Sequence, residues 1–404
     1  MARKEEEVKK ENGKEEGTIY ISDEIKIRYD LEHAFFNSEE IKQAEETVPV
    51  SPIVLAQTKM RETYKDLFSR QYDNLVILSG SGTSVGIGDV NKKGKTMKGL
   101  WEKVVAEMGF ESLKDFAKAI AFKGLKLEDT DLEALISKAQ LAESYKPNPK
   151  VQSTLEEVKK IIREACELLL PDDAPHSQFL QKITSRKTKY ERAKIFTLNY
   201  DLLFEQAAAK GGYVVIDGFS FSNPRLFSGV NYDYDIVIRN HGRSLAEENF
   251  APRVFHLYKP HGSLDWERAE INGKEVFQKM DHPAQPVMIY PSHEKYESSY
   301  DQPYFEMISR FQKELRARNT MLIVIGFSFY DKHIKAMIME ALDTNPSISL
   351  AVVAPDACEA ESFACIKQKA EKMKNVVLIS ETFADFVTNF PYSDVYDYSE
   401  GIQR

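Results

Sequence analysis

The sequence has only three cysteines among its 404 residues, and no two of them form a C-x-x-C pair. Cys166, Cys358 and Cys365 therefore exclude a four-thiolate zinc site and do not support a disulfide framework. Sparse, scattered cysteine is typical of a reducing compartment, so we expect a cytoplasmic protein. The sequence also lacks an apolar run approaching about 18 residues and an apolar segment near its N-terminus, so we expect neither a membrane span nor a signal peptide.

An excess of positive charge is missing as well. Lys and Arg number 54 against 63 Asp and Glu, which gives a formal net charge of -9. Because the basic footprint of a phosphate-binding protein is absent, we expect no direct nucleic-acid binding. Apolar residues make up 42% of the chain, enough for a sizeable core. Residues 3–16 are almost all charged, so we predict a flexible tail over residues 1–17.

Short, fully apolar runs recur along the rest of the chain, and several are followed by helical patterns. Such runs are typical of strands that are buried on both faces. Strands that alternate with helices predict an α/β fold, with a Rossmann-like parallel sheet and helices on both of its faces. The predicted strands are Leu75–Leu78, Ile195–Leu198, Val287–Tyr290, Met321–Ile325, Ile348–Val353 and Val376–Ile379.

The strand pattern disappears between about residues 97 and 192. Leu132, Leu135 and Ile136 have helical spacing there, and Ser153 with Glu156 has the spacing of a capping box, which predicts a helix start. We therefore predict an all-α insertion over residues 97–192. It interrupts one Rossmann-like domain that is formed by residues 18–96 and 193–404.

The first candidate binding motif directly follows the first predicted strand. It contains Gly80, Ser81, Gly82, Thr83 and Ser84. Two glycines one residue apart allow a tight turn, and hydroxyl and N–H groups at the following helix start suit a diphosphate. The strict G-x-G-x-x-G pattern is not met, so an ordinary strand-to-helix turn is an equal alternative.

Two further motifs carry candidate catalytic residues. Asn199 follows the second predicted strand and offers both a donor and an acceptor, while Asp201 is well placed to cap the next helix. His261 lies between Pro260 and Gly262 after a strand-like run, which displays its imidazole on a loop as a candidate general base. A lone histidine is more often a structural residue, so this alternative stays open.

Two later strand ends complete the set. Gly326 and Ser328 follow the predicted strand Met321–Ile325 and suit the close approach of a nucleotide and a hydrogen bond to it. Asp331 is expected to cap the next helix. Asp356 follows the predicted strand Ile348–Val353 and could border an adenine or ribose site, but a plain turn is an equal alternative.

The order of these motifs resembles the sirtuin family, in which a G-A-G-[IV]-S loop, a Q-N-[IV]-D segment, an H-G motif and a G-T-S motif bind NAD+ and cleave its nicotinamide–ribose bond. The resemblance covers about residues 70–96 and 193–380. Ser81 replaces the Ala of the first loop, Thr83 its Ile or Val, and Leu198 the Gln. The D-F-R sequence and the zinc module are absent. The helical insertion stands in place of the zinc module, and deacylases hold the acyl-lysine peptide in the cleft beside that module, so protein deacylation is doubtful.

The pattern is similar in particular to sirtuin-like proteins of bacterial antiphage defence. The strings that carry this likeness include Ile289–Ser292, Lys295-Tyr296 and the segment from Gly326 to Asp331. The resemblance implies an NAD+ hydrolase that acts in abortive infection with a HerA-type hexameric ATPase. It implies that Asn199 orients the ribose hydroxyl or the attacking water and that His261 accepts a proton, with no metal required.

Other readings of the same residues remain open. A non-catalytic module that senses NAD+ or ADP-ribose, or an enzyme that transfers ADP-ribose to protein, would use the same glycine loops. We expect a homo-oligomer whose activity is gated by a partner. The helical insertion and the acidic, aromatic C-terminus with Tyr392, Tyr396 and Tyr398 are the candidate contacts. For the C-terminus, a simply packed or frayed chain end is an equal alternative.

Overall fold

The computed structural model describes residues 16–43, 49–128, 130–187, 189–238, 249–289 and 302–392. Within these ranges the chain forms sixteen strands in three sheets. In chain order they are β1 (Gly17–Ile21), β2 (Lys26–Tyr29), β3 (Ala34–Phe36), β4 (Glu39–Glu40), β5 (Asn74–Ser79), β6 (Lys194–Thr197), β7 (Val214–Ile216), β8 (Arg225–Leu226), β9 (Val254–Tyr258), β10 (Gly262–Ser263), β11 (Trp266–Ile271), β12 (Lys274–Lys279), β13 (Val287–Met288), β14 (Thr320–Ile325), β15 (Ile348–Val353) and β16 (Val376–Ile379).

Eleven of these strands form the central sheet, in the order β4-β3-β2-β1-β16-β15-β14-β5-β6-β9-β7. The seven strands from β16 to β7 are parallel, and β1 to β4 extend the sheet as an antiparallel edge. From β5 the sheet extends in one direction through β6, β9 and β7, which the chain visits in the order β6, β7, β9, and in the other through β14, β15 and β16. The strand order therefore reverses between β5 and β14, which is where open α/β sheets bind ligands.

Helices cover both faces of the sheet. The described helices are α1 (Pro52–Ser69), α2 (Met97–Met108), α3 (Phe110–Ala119), α4 (Leu132–Tyr145), α5 (Pro149–Cys166), α6 (Pro175–Thr184), α7 (Leu203–Gly211), α8 (Tyr304–Arg316), α9 (Lys332–Thr344), α10 (Ala364–Ala370) and α11 (Phe383–Asn389). Helices α8, α9 and α10 pack on one face, and α1, α6, α7 and α11 pack on the other. None of the helices in the described ranges is both long and apolar enough to cross a bilayer.

The apolar runs of the sequence are explained by this three-layer arrangement. In β5, Val76 and Leu78 face the core shared with α8 and α9, while Leu75 and Ile77 face the core shared with α1 and α6. Successive side chains of a strand point to opposite faces, so a strand covered on both faces must be apolar throughout. The predicted α/β class with a largely parallel sheet and helices on both faces is confirmed.

Four of the five helices between β5 and β6 form a core of their own. Side chains of α2, α3, α4 and α5 pack on one another in a third apolar cluster, whereas α6 belongs to the sheet layer. The helix predicted to start at Ser153 starts earlier, at Pro149, because Asn148 caps it and accepts a hydrogen bond from the backbone N–H of Lys150 at 3.1 Å. The helical unit and the sheet unit meet where Arg163 Nη1 donates to the carbonyl of Ala284 at 2.9 Å.

One predicted strand lies elsewhere than expected. Val287 and Met288, from the predicted run Val287–Tyr290, pair with Ser263 and Gly262 in a small two-stranded sheet and not with the central sheet. A run of four apolar residues indicates burial but not the partner strand, which is why the pattern misplaced it. Residues 290–301, which include the remainder of this run and the Lys295-Tyr296 string, lie outside the described residues.

Candidate functional site

The glycine loop after β5 packs directly on the loop after β14. The backbone N–H of Gly82 donates to the carbonyl of Gly326 at 3.0 Å, and a Cβ atom on Gly82 would lie 2.5 Å from the Cα of Gly326. Gly326 itself has a φ of +62°, which favours glycine. A Cβ on Gly80 would lie 2.6 Å from the carbonyl oxygen of Gly326. The three glycines therefore let two loops touch at the point where the strand order reverses.

Asn199, directly after β6, is held against the glycine loop by its amide nitrogen. Nδ2 donates to the carbonyl of Gly80 at 3.0 Å and lies 3.0 Å from Thr83 Oγ1 and 2.8 Å from Ser84 Oγ. A carbonyl can only accept, so the contact with Gly80 fixes which end of the amide faces the loop. No group in the described ranges donates to Asn199 Oδ1. The amide oxygen is thus the end of this side chain that can accept a hydrogen bond from a ligand.

The same hydrogen-bond chain continues to Asp201. Ser84 Oγ donates to Asp201 Oδ2 at 2.6 Å, and Asp201 Oδ1 accepts from the backbone N–H of Leu203 at 3.1 Å in the first turn of α7. Burial raises the pKa of Asp201, against the opposing effects of Lys259 and Ser84. The N-cap residue of α7 is Leu202 and not Asp201 as predicted, because the helix begins one residue later. Asp201 still accepts from the first N–H of the helix and also fixes the hydroxyl on which Asn199 rests.

His261 lies at the end of the neighbouring strand β9 and pairs with Asp331. The distance from His261 Nε2 to Asp331 Oδ2 is 3.3 Å, and each side chain is only 11% exposed. The other carboxylate oxygen of Asp331 caps α9 by accepting from the backbone N–H groups of His333 and Ile334. Burial acts to raise the pKa of Asp331, but the hydrogen bond to His261 and the other contacts outweigh it and lower this pKa below its usual value.

The backbone beside His261 is fixed by β13. The carbonyl of His261 accepts from the N–H of Ile289 at 2.8 Å, and Gly262 pairs with Met288. Gly262 has a φ of +88°, and a Cβ there would lie 2.1 Å from the carbonyl oxygen of Val287. The glycine that follows the histidine is therefore required by this close pairing.

A buried lysine links the histidine loop to the asparagine segment. Lys259 Nζ donates to the carbonyl of Asp201 at 2.6 Å and to Glu205 Oε1 at 3.0 Å, and its side chain is 3% exposed. The second oxygen of Glu205 is buried without a hydrogen-bond partner in the described structure. Lys259 directly precedes Pro260 and His261, but its partners are distant in sequence, so the sequence predicted no role for it.

The helical unit also contributes a carboxyl group near His261. Burial raises the pKa of Glu133, in the first turn of α4, to about 7; the charge of His261 opposes this shift, while Asp131 and Asp331 add to it. Met288, which pairs with Gly262, packs on the core of the helical unit. The sequence offered no signal for Glu133, because nothing indicated which helix end faces the sheet.

The remaining predicted residues lie at the same edge of the sheet. Ser328 is exposed on the loop after β14, next to Phe329, whose φ is +61°. Asp356 is exposed in the turn after β15, and its backbone carbonyl accepts from the N–H groups of Glu359 and Ala360. Neither side chain forms a hydrogen bond with the other candidate residues in the described structure. Ser81 also lies in the glycine loop, where its carbonyl accepts from the N–H of Ser84.

The two catalytic candidates follow adjacent parallel strands. Phe196 of β6 pairs with Tyr258 of β9, so the two strands end at the same edge of the sheet, before Asn199 and His261 respectively. Within the described ranges, no three His, Cys, Asp or Glu side chains are grouped to hold a metal ion. The edge presents an amide oxygen, an imidazole oriented by a carboxylate, and a glycine loop.

Residues 193–379 match the family model of the SIR2-like domain. No curated protein shows a significant match to the chain. The SIR2-like match covers less than half of the chain; it includes Asn199, His261 and Asp331 but begins after the glycine loop and the helical unit. It supports a sirtuin-like fold for this part of the chain and indicates NAD-dependent activity in general.

Proposed function

We propose that the protein hydrolyses NAD+ at its nicotinamide–ribose bond. The observation that carries the proposal is that Asn199, whose amide oxygen has no donor in the described structure, and His261, which is paired with Asp331, follow two adjacent parallel strands. Asn199 is bound to the glycine loop that touches Gly326 at the reversal of strand order, and Asp331, the partner of His261, follows the loop that begins at Gly326. The SIR2-like match supports NAD+ as the substrate.

The proposed hydrolysis requires few groups from the protein. Water adds to the ribose carbon as the bond to the pyridinium nitrogen breaks, so NAD+ and water give nicotinamide, ADP-ribose and one proton. The reacting ribose gains oxocarbenium character. Asn199 Oδ1 would accept a hydrogen bond from a ribose hydroxyl or the attacking water, and His261, oriented by Asp331, would accept the proton. No residue in this scheme needs a metal.

The test is nicotinamide release from NAD+ by purified full-length protein. Asn199→Ala and His261→Ala are each expected to lower turnover about 100- to 10,000-fold while melting behaviour is retained. His33→Ala is the matched control, because His33 is half-exposed among β2, β3 and β4. Full activity in both site variants would overturn the proposal. Binding of NAD+ without turnover would point to a sensor module, and ADP-ribose on a protein would point to transfer.

We further propose that the activity serves antiphage defence and is gated by assembly. An unregulated NAD+ hydrolase would deplete its own cell, and the resemblance of the motifs favours a HerA-type hexameric ATPase as the partner. A partner can activate only if it binds one state of the protein better than the other. Light scattering and the NAD+ assay, each with and without the ATPase, test this. A strictly monomeric protein with equal turnover in both conditions would contradict it.

A further inference from the structure

One carboxyl group near the proposed site has no part in the scheme above. Glu133 lies in the first turn of α4, and its carboxylate forms no hydrogen bond or ion pair within the described part of the chain. Its side chain is partly buried, neither sealed in the core nor fully exposed. Removing a carboxylate from water without a partner is costly, so packing alone does not explain this residue.

One face of α4 lies along the chain that holds His261. Glu133, Ser137 and Gln140 have the spacing i, i+4 and i+7, so they share one face of the helix. Ser137 is buried on this face, and Gln140 lines a groove between the helical unit and the sheet unit together with Ile289. The backbone N–H of Ile289 donates to the carbonyl of His261 at 2.8 Å. The face that carries Glu133 is therefore directed towards the histidine loop and not towards the core of the helical unit.

The charges that act on Glu133 come from three elements. They are His261 after β9, Asp331 at the start of α9, and Asp131 at the cap of α4 itself. Asp331 is the ion-pair partner of His261 within the described ranges, so the carboxylate of Glu133 lies beyond 4.0 Å from the imidazole nitrogens but within its electrostatic range. The helical unit thus brings a carboxylate close to the two paired groups of the sheet unit without joining their contact.

The chain that leads into α4 is fixed in place. The hydroxyl of Thr130 accepts from the N–H of Lys126 at 2.7 Å and donates to its carbonyl at 2.6 Å, which closes the preceding turn. The indole of the buried Trp101 donates to the carbonyl of Leu127 at 2.9 Å, and Asp131 caps the helix. The backbone of Glu133 is therefore held before any substrate binds, as electrostatic stabilisation of a transition state requires.

We propose that Glu133 is a further catalytic residue, which contacts the nicotinamide–ribose end of NAD+ from the helical unit. This inference rests on the proposed hydrolysis. The ring of NAD+ is positively charged, and bond breaking transfers that charge to the ribose as oxocarbenium character. An ionised Glu133 attracts the charge in both states and takes no proton, because His261 accepts the proton that water releases. Glu133 lies outside residues 193–379, so this role belongs to the helical unit and not to the matched domain.

Glu133 acts in this way only when it is ionised. Burial raises its pKa to about 7, with the charge of His261 opposing the shift and Asp131 and Asp331 adding to it. Turnover should therefore rise as the pH increases through this value. A raised pKa also means that the free energy of unfolding falls as the pH rises from the usual carboxyl value to the raised one. Glu133→Gln should thus be at least as stable as the wild type at alkaline pH, whereas a structural role predicts a loss of stability.

The primary experiment measures nicotinamide release by full-length wild type, Glu133→Gln and Glu133→Asp across this pH range, beside their urea denaturation. We expect kcat of Glu133→Gln to fall about 100-fold and one ionisation to disappear from the acid side of its pH profile. Glu133→Asp keeps the charge and should retain part of the activity. Glu111→Gln is the matched control, because Glu111 also lies in a first turn of the helical unit but is exposed and paired with Lys114. It should keep wild-type turnover.

Binding of NAD+ and NADH separates this inference from the hydrolysis itself. NADH binding is followed by its own fluorescence, and NAD+ binding by displacement of NADH. Because the nicotinamide ring of NADH is uncharged, the wild type should prefer NAD+, and Glu133→Gln should reduce this preference about tenfold. This reduction supports the contact even if the wild type binds NAD+ without hydrolysing it, a result that would refute the hydrolysis alone. Wild-type turnover and wild-type preference in Glu133→Gln would overturn the role of Glu133 and leave the hydrolysis intact. Absence of NAD+ binding by the wild type would overturn both.

Discussion

Replacing Asp331 by asparagine isolates the pairing of Asp331 with His261 from the other role of this side chain. Asp331 both caps α9 and lies 3.3 Å from His261 Nε2. Asparagine is as good an N-cap residue as aspartate, so Asp331→Asn is expected to change the free energy of unfolding by less than about 1 kcal/mol. It removes the negative charge that faces the imidazole and offers Nε2 a donor or a neutral acceptor in its place.

The expected loss follows from the burial of the pair. Both side chains are 11% exposed, so water screens the contact weakly. A hydrogen bond to a charged group contributes about 1.5–3 kcal/mol, which corresponds to roughly 10- to 150-fold in a rate. Because 3.3 Å is longer than the shortest charged hydrogen bonds, we expect kcat/KM for NAD+ to fall about 10- to 100-fold.

The assay is nicotinamide release, measured beside urea denaturation of the same preparations. Asp131→Asn is the matched control: Asp131 caps α4 by accepting from the N–H of Ala134 but makes no hydrogen bond to His261. It should keep wild-type turnover. An Asp331→Asn protein with wild-type stability and wild-type kcat/KM would show that the carboxylate does not orient the imidazole during the reaction, and the reasoning would fail.

Three further predictions concern stability. Gly82→Ala should destabilise the fold by about 1–3 kcal/mol, because its Cβ would lie 2.5 Å from Gly326 Cα; wild-type urea stability would contradict the observed loop contact. Lys259→Met should lower the free energy of unfolding by about 3–5 kcal/mol, because it leaves Glu205 buried and unpaired. Adding Glu205→Gln should restore part of this stability, and a double variant no more stable than Lys259→Met would refute the prediction. The pKa of Asp331 is lower in the folded protein than its usual value of about 3.9. The ionised carboxylate therefore stabilises the folded protein above that usual value, and this stabilisation is lost as the pH falls through the lower pKa of the folded state. Urea denaturation curves of the wild type and of Asp331→Asn should therefore converge at acid pH.

The parallel strands were predictable because their burial leaves a direct trace in the sequence. A strand covered on both faces has no polar position, and β5, β14 and β15 are therefore readable as unbroken apolar runs. The antiparallel edge was not predicted. Strands β2 and β4 are short and carry exposed charged residues, so their composition is that of a loop, and only their pairing with neighbours makes them strands.

The candidate site was predictable as positions but not as contacts. The end of each parallel strand places Asn199 and His261 at one edge of the sheet, and this follows from topology alone. The residues that contact these two side chains and their neighbours do not follow from the topology. Asp331 was explained by its cap, which hid its contact with His261, and Lys259 meets Glu205 across a loop whose path the sequence does not specify. The sequence also gave no sign that Gly80 and Gly82 contact Gly326; their assignment to a ligand stays a prediction.

These contacts divide the site into two parts with different attachments. Asn199 is bound to the glycine loop by its amide, and that loop is fixed on Gly326 by backbone contacts, so this part can move only with the ends of β5 and β14. His261 is bound through its carbonyl and through Gly262 to β13, and Met288 of β13 packs on the helical unit. A displacement of the helical unit would therefore reach His261 before it reached Asn199. Lys259 ties the two parts together through the carbonyl of Asp201. The N–H of Leu264, which donates to the carbonyl of Tyr200 at 3.1 Å, and the pairing of β6 with β9 join them as well, so these contacts together would resist such a displacement.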